Sequence, residues 1–180
     1  MLDSAALLLR ERGVGGVTVD AVLAHSGAPR GSVYHHFPGG RDELLLGALT
    51  QAGAFVTERL ERAVERGDPR QAVASFVRFW TRALTDSNFR AGCPAVAVAV
   101  DSRLEIPGAG EAVRAVFDQW RSMLIRLLVA DGYRRPRAER LATMTLAAVE
   151  GAIIVCRAAG DVRALDEVAA ELDLMLTRDR

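Results

Sequence analysis

The run GAPRGSVYHHFPGG, residues 27–40, decides how the rest of the chain is read. Pro29 has a fixed φ and no amide hydrogen, which suits the first turn of a helix, and Pro38 cannot sit inside one. The segment between them therefore holds about two helical turns. Upstream, Gly27 closes a helix through VDAVLAHS, residues 19–26, with Thr18 as its cap and Asp20 near its positive end. Two short helices joined by a tight glycine turn make a helix-turn-helix, a unit that can set its second helix in a DNA major groove while the first crosses the backbone.

The helical pattern continues on both sides of this unit. LDSAALLLRER, residues 2–12, carries Leu2, Ala5, Ala6, Leu8 and Leu9 near one side and stops at Gly13, so it reads as a first helix. A long helix is predicted from Arg41 to about Arg66, another after the cap Asp68 through RQAVASFVRFWTRALTDS, and a shorter apolar piece at CPAVAVAV. IPGAG then interrupts the chain. A helix follows from Glu111 to about Ala130, and two more cover Pro136 to Ala159 and Asp161 to Thr177, with the break at Gly160. Apolar residues make up 50% of the chain, while alternating β-branched and aromatic runs are scarce, so the fold class is all-α.

The formal net charge is zero, which removes any general electrostatic attraction to polyanions and leaves only local arrangement to provide it. All 23 basic residues are arginine. Residues 1–50 hold four of them against five acids, so any DNA contact relies on placement and weakens with salt. Cys93 and Cys156 lack CxxC spacing and sit among apolar residues, as buried thiols or as a pair. No uncharged run reaches 18 apolar residues and no secretory signal is visible, so a cytoplasmic protein without membrane contact is expected. His25, His35 and His36 share one region, but adjacent helical histidines diverge by about 100° and zinc pairs need a spacing of three or four. No metal, cofactor or nucleophile–base arrangement is therefore expected, and the chain does not read as an enzyme.

TVDAVLAHSGAPRGSVYHHF, residues 18–37, resembles the signature T-x-x-x-(apolar)…A-G-(apolar)-S-x-G-x-x-Y-x-(Y/H)-F of the TetR family of one-component transcriptional regulators. Thr18, Val22, Gly27, Ala28, Gly31, Tyr34, His36 and Phe37 fall in place. GAPRGSVYHHFPGGRDEL with the later GCPAVAVA is similar to the LmrA/YxaF-like branch, in which a proline takes the usual serine position. The resemblance implies an N-terminal three-helix DNA-binding domain, residues 1–45, and a C-terminal helical domain for effector binding and dimerisation, residues 46–180. It also implies a double-stranded operator, a small-molecule effector and a second copy of the chain as partners. Leu23 and Ser26 depart from the usual alanines. The basic lead-in common in the family is missing before the first helix, and the resemblance therefore implies a mis-assigned start and a missing phosphate contact.

Within the reader, Pro29 opens the recognition helix and Gly31, without a side chain, lets it approach DNA closely. Arg30 and Ser32 point from its first turn towards base edges or phosphates, and Tyr34 and His35 can donate to phosphate oxygens. Thr18 serves as cap, as phosphate contact, or as both. His36 is open to phosphate contact or to packing. Arg41 lies one glycine beyond the place of the family's phosphate-gripping lysine. Val22, Val33 and Phe37 form the small core that holds the two helices together.

In the remaining helices, Phe76, Phe79, Trp80, Phe89, Phe117 and Trp120 are candidates for the walls of an effector pocket or for ordinary core. Glu150 interrupts the apolar run LAAVEGAIIVC and calls for a partner such as Arg157 or Arg121, a ligand, or a place at a subunit seam. Leu146, Val149, Ile153, Val168, Leu172 and Met175 have the spacing of an apolar dimer seam, or fill the subunit core. The expected function is a DNA-binding repressor released by a small apolar or aromatic ligand. The competing readings are an enzyme or carrier using the helical pocket, and a constitutive DNA-binding module with no effector.

Overall fold

The computed structural model describes residues 1–65, 67–101 and 106–177. Every regular element among them is helical: α1 (Leu2–Arg12), a 3₁₀ turn (Val14–Gly16), α2 (Val19–Ser26), α3 (Arg30–His36), α4 (Gly40–Val64), α5 (Pro69–Asp86), α6 (Pro94–Ala99), α7 (Ala109–Ala130), α8 (Arg135–Ala159) and α9 (Arg163–Met175).

Several boundaries follow from caps written in the sequence. Thr18 Oγ1 accepts from the Ala21 amide at 3.1 Å and opens α2. Asp68 accepts from the amides of Arg70 and Gln71 at 2.9 and 3.2 Å and opens α5. Gly27 ends α2 at φ 68°, a left-handed conformation that would strain a side-chain-bearing residue. Other boundaries shift. Pro29 is the extended cap of α3 rather than its first residue, because its ψ is 144°. α7 starts two residues before Glu111, at Ala109, where the Gly108 carbonyl accepts from Ala112 at 2.9 Å. α9 starts later and ends earlier than expected, since the Asp161 carboxylate meets the Arg163 amide at 3.0 Å and Leu176 already leaves the helix. The expected end of the fourth helix, Arg66, lies outside the described residues, and α4 stops at Val64.

By packing, the chain forms two compact units, Met1–Phe55 with Arg90–Val116, and Val56–Phe89 with Phe117–Arg180. In the first, Leu9, Val17, Val22, Val33, Leu44, Leu45 and Leu49 are wholly buried. Gly47 lets α4 approach α1: a Cβ there would come within 2.7 Å of Leu2 Cδ2. The Arg10 carbonyl accepts from Gly92 at 2.9 Å, which ties α1 to the segment before α6. Burial pushes the Arg10 guanidinium below its ordinary value, against the opposing influence of Cys93 and Glu11.

In the second unit, α5, α8 and α9 pack on one another, and Trp80, Leu84, Trp120, Leu141, Ile153 and Leu165 are buried. Arg70 at the start of α5 grips Asp173 near the end of α9 through two hydrogen bonds, of 2.6 and 2.5 Å. This hydrogen bonding to Arg70 holds the Asp173 carboxyl below the ordinary aspartate value of 3.8. A depressed carboxyl contributes stability above its unfolded pKa and loses it as pH falls through the folded one. The gap in Tm between the parent protein and Asp173→Asn is therefore expected to be constant at neutral pH and to close on acidification. Thermal melts of both across the acid range test this, and a gap that persists in acid would refute it. Because the pair is exposed, the gap should be small.

Candidate nucleic-acid interface

α3 is seven residues long, and its pattern separates an inner from an outer side. Val33 is wholly buried and Phe37 half-buried, and Val22 of α2 is also wholly buried. With Val33 turned inward, helical geometry aims the rest of the helix outward. Arg30, Gly31, Tyr34, His35 and His36 are exposed, Tyr34 to 61%. One edge of the Tyr34 ring lies near Gly40, but most of the side chain faces solvent and places a phenolic donor at the surface.

Gly31 sharpens the point. A Cβ built there would meet nothing within 4 Å, so no neighbour inside the protein requires a glycine. A helical glycine costs about 1 kcal/mol relative to alanine. What the residue provides is a bare patch of backbone on the outer face, suited to close approach by another molecule.

The other expected residues divide. Thr18 is exposed, and since its oxygen already accepts from Ala21, its hydroxyl hydrogen stays available to an outside acceptor. Pro29 is exposed, and its carbonyl accepts from the Ser32 amide at 3.0 Å and from Ser32 Oγ at 2.6 Å. Ser32 is therefore half-buried with its proton given to its own helix. Arg30 is ion-paired with Asp20 of α2. The rings of His35 and His36 meet edge to face at 4.9 Å. Among the described residues, no three His, Cys, Asp or Glu side chains gather into a metal-holding group.

Arg41 departs from expectation. Its Nε donates to the Val17 carbonyl at 2.9 Å and Nη2 to the Val14 carbonyl at 3.0 Å, and the side chain is half-buried. Two of the guanidinium's five N–H donors are thus given to the protein's own backbone. The side chain fastens the start of α4 to the 3₁₀ turn ahead of α2, a task its two-edged fork suits better than a lysine would.

In the second unit, Phe76, Trp80, Trp120 and Glu150 are buried, and Phe79, Phe89 and Phe117 are half-buried. The α5 rings of Phe76, Phe79 and Trp80 touch one another at 5.0 to 6.2 Å, and Phe117 meets Trp120 edge to face on α7 at 5.6 Å. Trp120 Nε1 donates to Thr57 Oγ1 at 2.8 Å, whereas the buried Trp80 Nε1 has no hydrogen-bond partner among the described residues. Arg121 gives its Nε to Thr143 at 2.9 Å. An open groove of about 820 Å³ lies along α7 and α8 between Arg121, Arg140 and Met144, and none of the seven expected pocket residues lines it.

Leu146, Val149, Ile153 and Leu172 are buried within the single chain, and Val168 and Met175 are half-buried. A seam built on the first four would have to expose side chains that the subunit already covers. The large apolar side chains left outward are Met144, Ile154 and Val155 of α8 and Leu174 of α9, each more than half exposed. Sequence periodicity missed the α8 residues because the helix between positions 141 and 156 carries apolar residues on nearly every side, and periodicity alone does not say which side is inside.

Comparison with known proteins gives the family and the fold. Residues 1–48 match the family described as bacterial regulatory proteins, tetR family, and residues 69–171 match the transcriptional regulator LmrA/YxaF-like C-terminal domain. An uncharacterized HTH-type transcriptional regulator of Mycobacterium tuberculosis, Rv0196, is 39% identical over 98% of this chain and 92% of its own length. The HTH-type transcriptional regulator LmrA of Bacillus subtilis is 25% identical over 99% of this chain and 95% of its own. A TetR transcriptional regulator from Legionella pneumophila, at 18% identity, shares the fold with a TM-score of 0.88 over 98% of this chain and 95% of that one. An outward two-turn helix at the end of a helix-turn-helix, matched along nearly the whole length of such a relative, places this chain in the TetR family of transcriptional regulators, in its LmrA/YxaF-like branch.

Proposed function

We propose that the protein is a cytoplasmic, homodimeric repressor that reads a partly palindromic operator with α3 and leaves it when a small, largely apolar ligand binds the helical body. Functionally, residues 1–45 act as the reader and residues 46–180 as the effector-binding and dimerisation part; the chain catalyses no reaction. The observation that carries the reading is the outward face of α3, with Tyr34 at 61% exposure beside a glycine that has no internal reason to be one. Thr18, His35 and His36 flank that face and are exposed.

A single copy of α3 contacts too few base pairs for an operator, whereas a two-fold pair sets recognition helices about 34 Å apart on successive grooves. The surface for pairing is the outward stripe of α8. Met144, Ala147, Gly151, Ile154 and Ala158 recur at alternating spacings of three and four, with small residues that allow close helix approach. The most apolar 18-residue stretch of α8 is only half buried inside the chain, so the other half calls for a second cover.

The effector reading draws on Trp80. A buried indole N–H without a partner costs about 1–3 kcal/mol, and a ligand bearing an acceptor among the α5 and α7 aromatics would remove that cost. Release follows if ligand prefers a conformation in which the recognition helices are wrongly spaced, since only differential affinity drives such a shift. α4 is placed to pass it on, because its residues 40–55 belong to one compact unit and 56–64 to the other.

Selection of random duplexes with the purified protein, followed by a salt series on the winning site, tests the proposal. Inverted half-sites are expected, and Tyr34→Ala should weaken binding at least about ten-fold. A protein that enriches no sequence, or binds equally well without the Tyr34 ring, would overturn it.

A further inference from the structure

Arg30 is the first residue of α3 and the only arginine on it, and it is paired with Asp20 in the first turn of α2. Both side chains are 74% exposed, and an ion pair that open to water contributes little to stability. An acid beside a surface meant for phosphates also opposes binding, all the more where residues 1–50 already hold more acids than arginines. The helix dipole favours an acid at Asp20, but neither that nor general DNA affinity explains why it is paired with Arg30.

Geometry offers a reason. The contact joins Arg30 Nη2 to one Asp20 oxygen, Oδ1. A guanidinium is a planar fork with five N–H donors, and a carboxylate on one nitrogen holds the plane while the remaining donors point away. The flanking positions leave that edge uncovered: Pro29 has no donor, Gly31 has no side chain, and Ser32 has turned its proton onto the Pro29 carbonyl. Residues at the start of a recognition helix are the ones that reach base edges, and an arginine fork held rigid there matches the O6 and N7 acceptors of guanine.

We propose that Arg30, held in plane by Asp20, reads one guanine in each operator half-site, so that Asp20 sets specificity without touching the base. This rests on α3 being the helix that enters the groove. In the site selected by random duplex binding, 7-deazaguanine replaces each guanine in turn, removing N7 alone. The parent protein is expected to lose binding on the order of ten-fold or more at one guanine per half-site, and Arg30→Ala to become indifferent to that replacement. Asp20→Asn should bind arbitrary duplex at least as tightly as the parent, having shed a negative charge, yet discriminate less at the same guanine. Both substitutions fall on exposed side chains, and thermal melts verify folding.

If Arg30→Ala retains the guanine preference, or instead weakens all sequences alike while lowering the salt slope by about one, Arg30 is a phosphate contact and the inference fails. It also fails if Asp20→Asn discriminates as well as the parent. These failures leave the groove-entering role of α3 intact. Unchanged binding in Tyr34→Ala is the separate result that removes that role, and the inference with it.

Discussion

Ile154→Asp is expected to behave in sedimentation as a folded single subunit and to lose on the order of 10²- to 10⁴-fold in affinity for an inverted-repeat duplex. Ile154 lies in the middle of the outward stripe of α8 and is 52% exposed, so a carboxylate there costs the isolated subunit little. Across a two-fold axis the same carboxylate is buried against an apolar partner and comes close to its own symmetry mate, which is unfavourable twice over. Separated subunits lose the gain in effective concentration that links two half-sites, hence the size of the effect on DNA.

The neighbouring residue is the control. Ile153 is 1% exposed, and Ile153→Asp is expected to prevent folding rather than to give a stable monomer. Ile154→Leu should remain paired. If Ile154→Asp still sediments as a dimer, the seam lies elsewhere.

Among substitutions that still allow folding, Trp120→Ala should have the largest effect on stability, a loss of about 3–5 kcal/mol in urea unfolding. The side chain is wholly buried, and its indole N–H donates to Thr57, itself 7% exposed, at 2.8 Å. Removing it opens a large cavity and strands the Thr57 hydroxyl. Against the 5–15 kcal/mol usual for a domain, that is a substantial fraction of the whole.

Two milder changes separate the contributions. Thr57→Val keeps the volume but leaves the indole donor unpaired, which costs about 1–3 kcal/mol. Trp80→Phe and Trp120→Phe remove similar bulk from two wholly buried sites, yet only Trp120 surrenders a hydrogen bond. Trp120→Phe is therefore expected to cost more than Trp80→Phe. Equal losses would mean that the Thr57 contact carries no net stability.

Much of the reader was legible along the chain because its signals are local. Thr18 caps the helix that follows it, Gly27 takes the left-handed turn, and the inward turn of Val33 leaves Tyr34, the next residue, facing outward. Each depends on residues within a few positions, so short stretches of sequence contain the whole cause. Arg41 was less legible. Its carbonyl acceptors, on Val14 and Val17, lie 27 and 24 positions away, and nothing in the run GGRDEL names them. The pairing of Arg30 with Asp20 escaped for the same reason, since ten positions and a turn separate the two.

The helical register of α8 shows the boundary most clearly. Its composition alone established that it is a long apolar helix beginning beside Pro136 and ending at Gly160. Whether Ile153 or Ile154 faces the interior was settled only when α5 and α9 packed against one side of it. Propensity, capping and turn geometry act over one or two turns and are written in consecutive residues. The choice of which apolar side chains leave water is made by distant segments, and it exists only once they have come together.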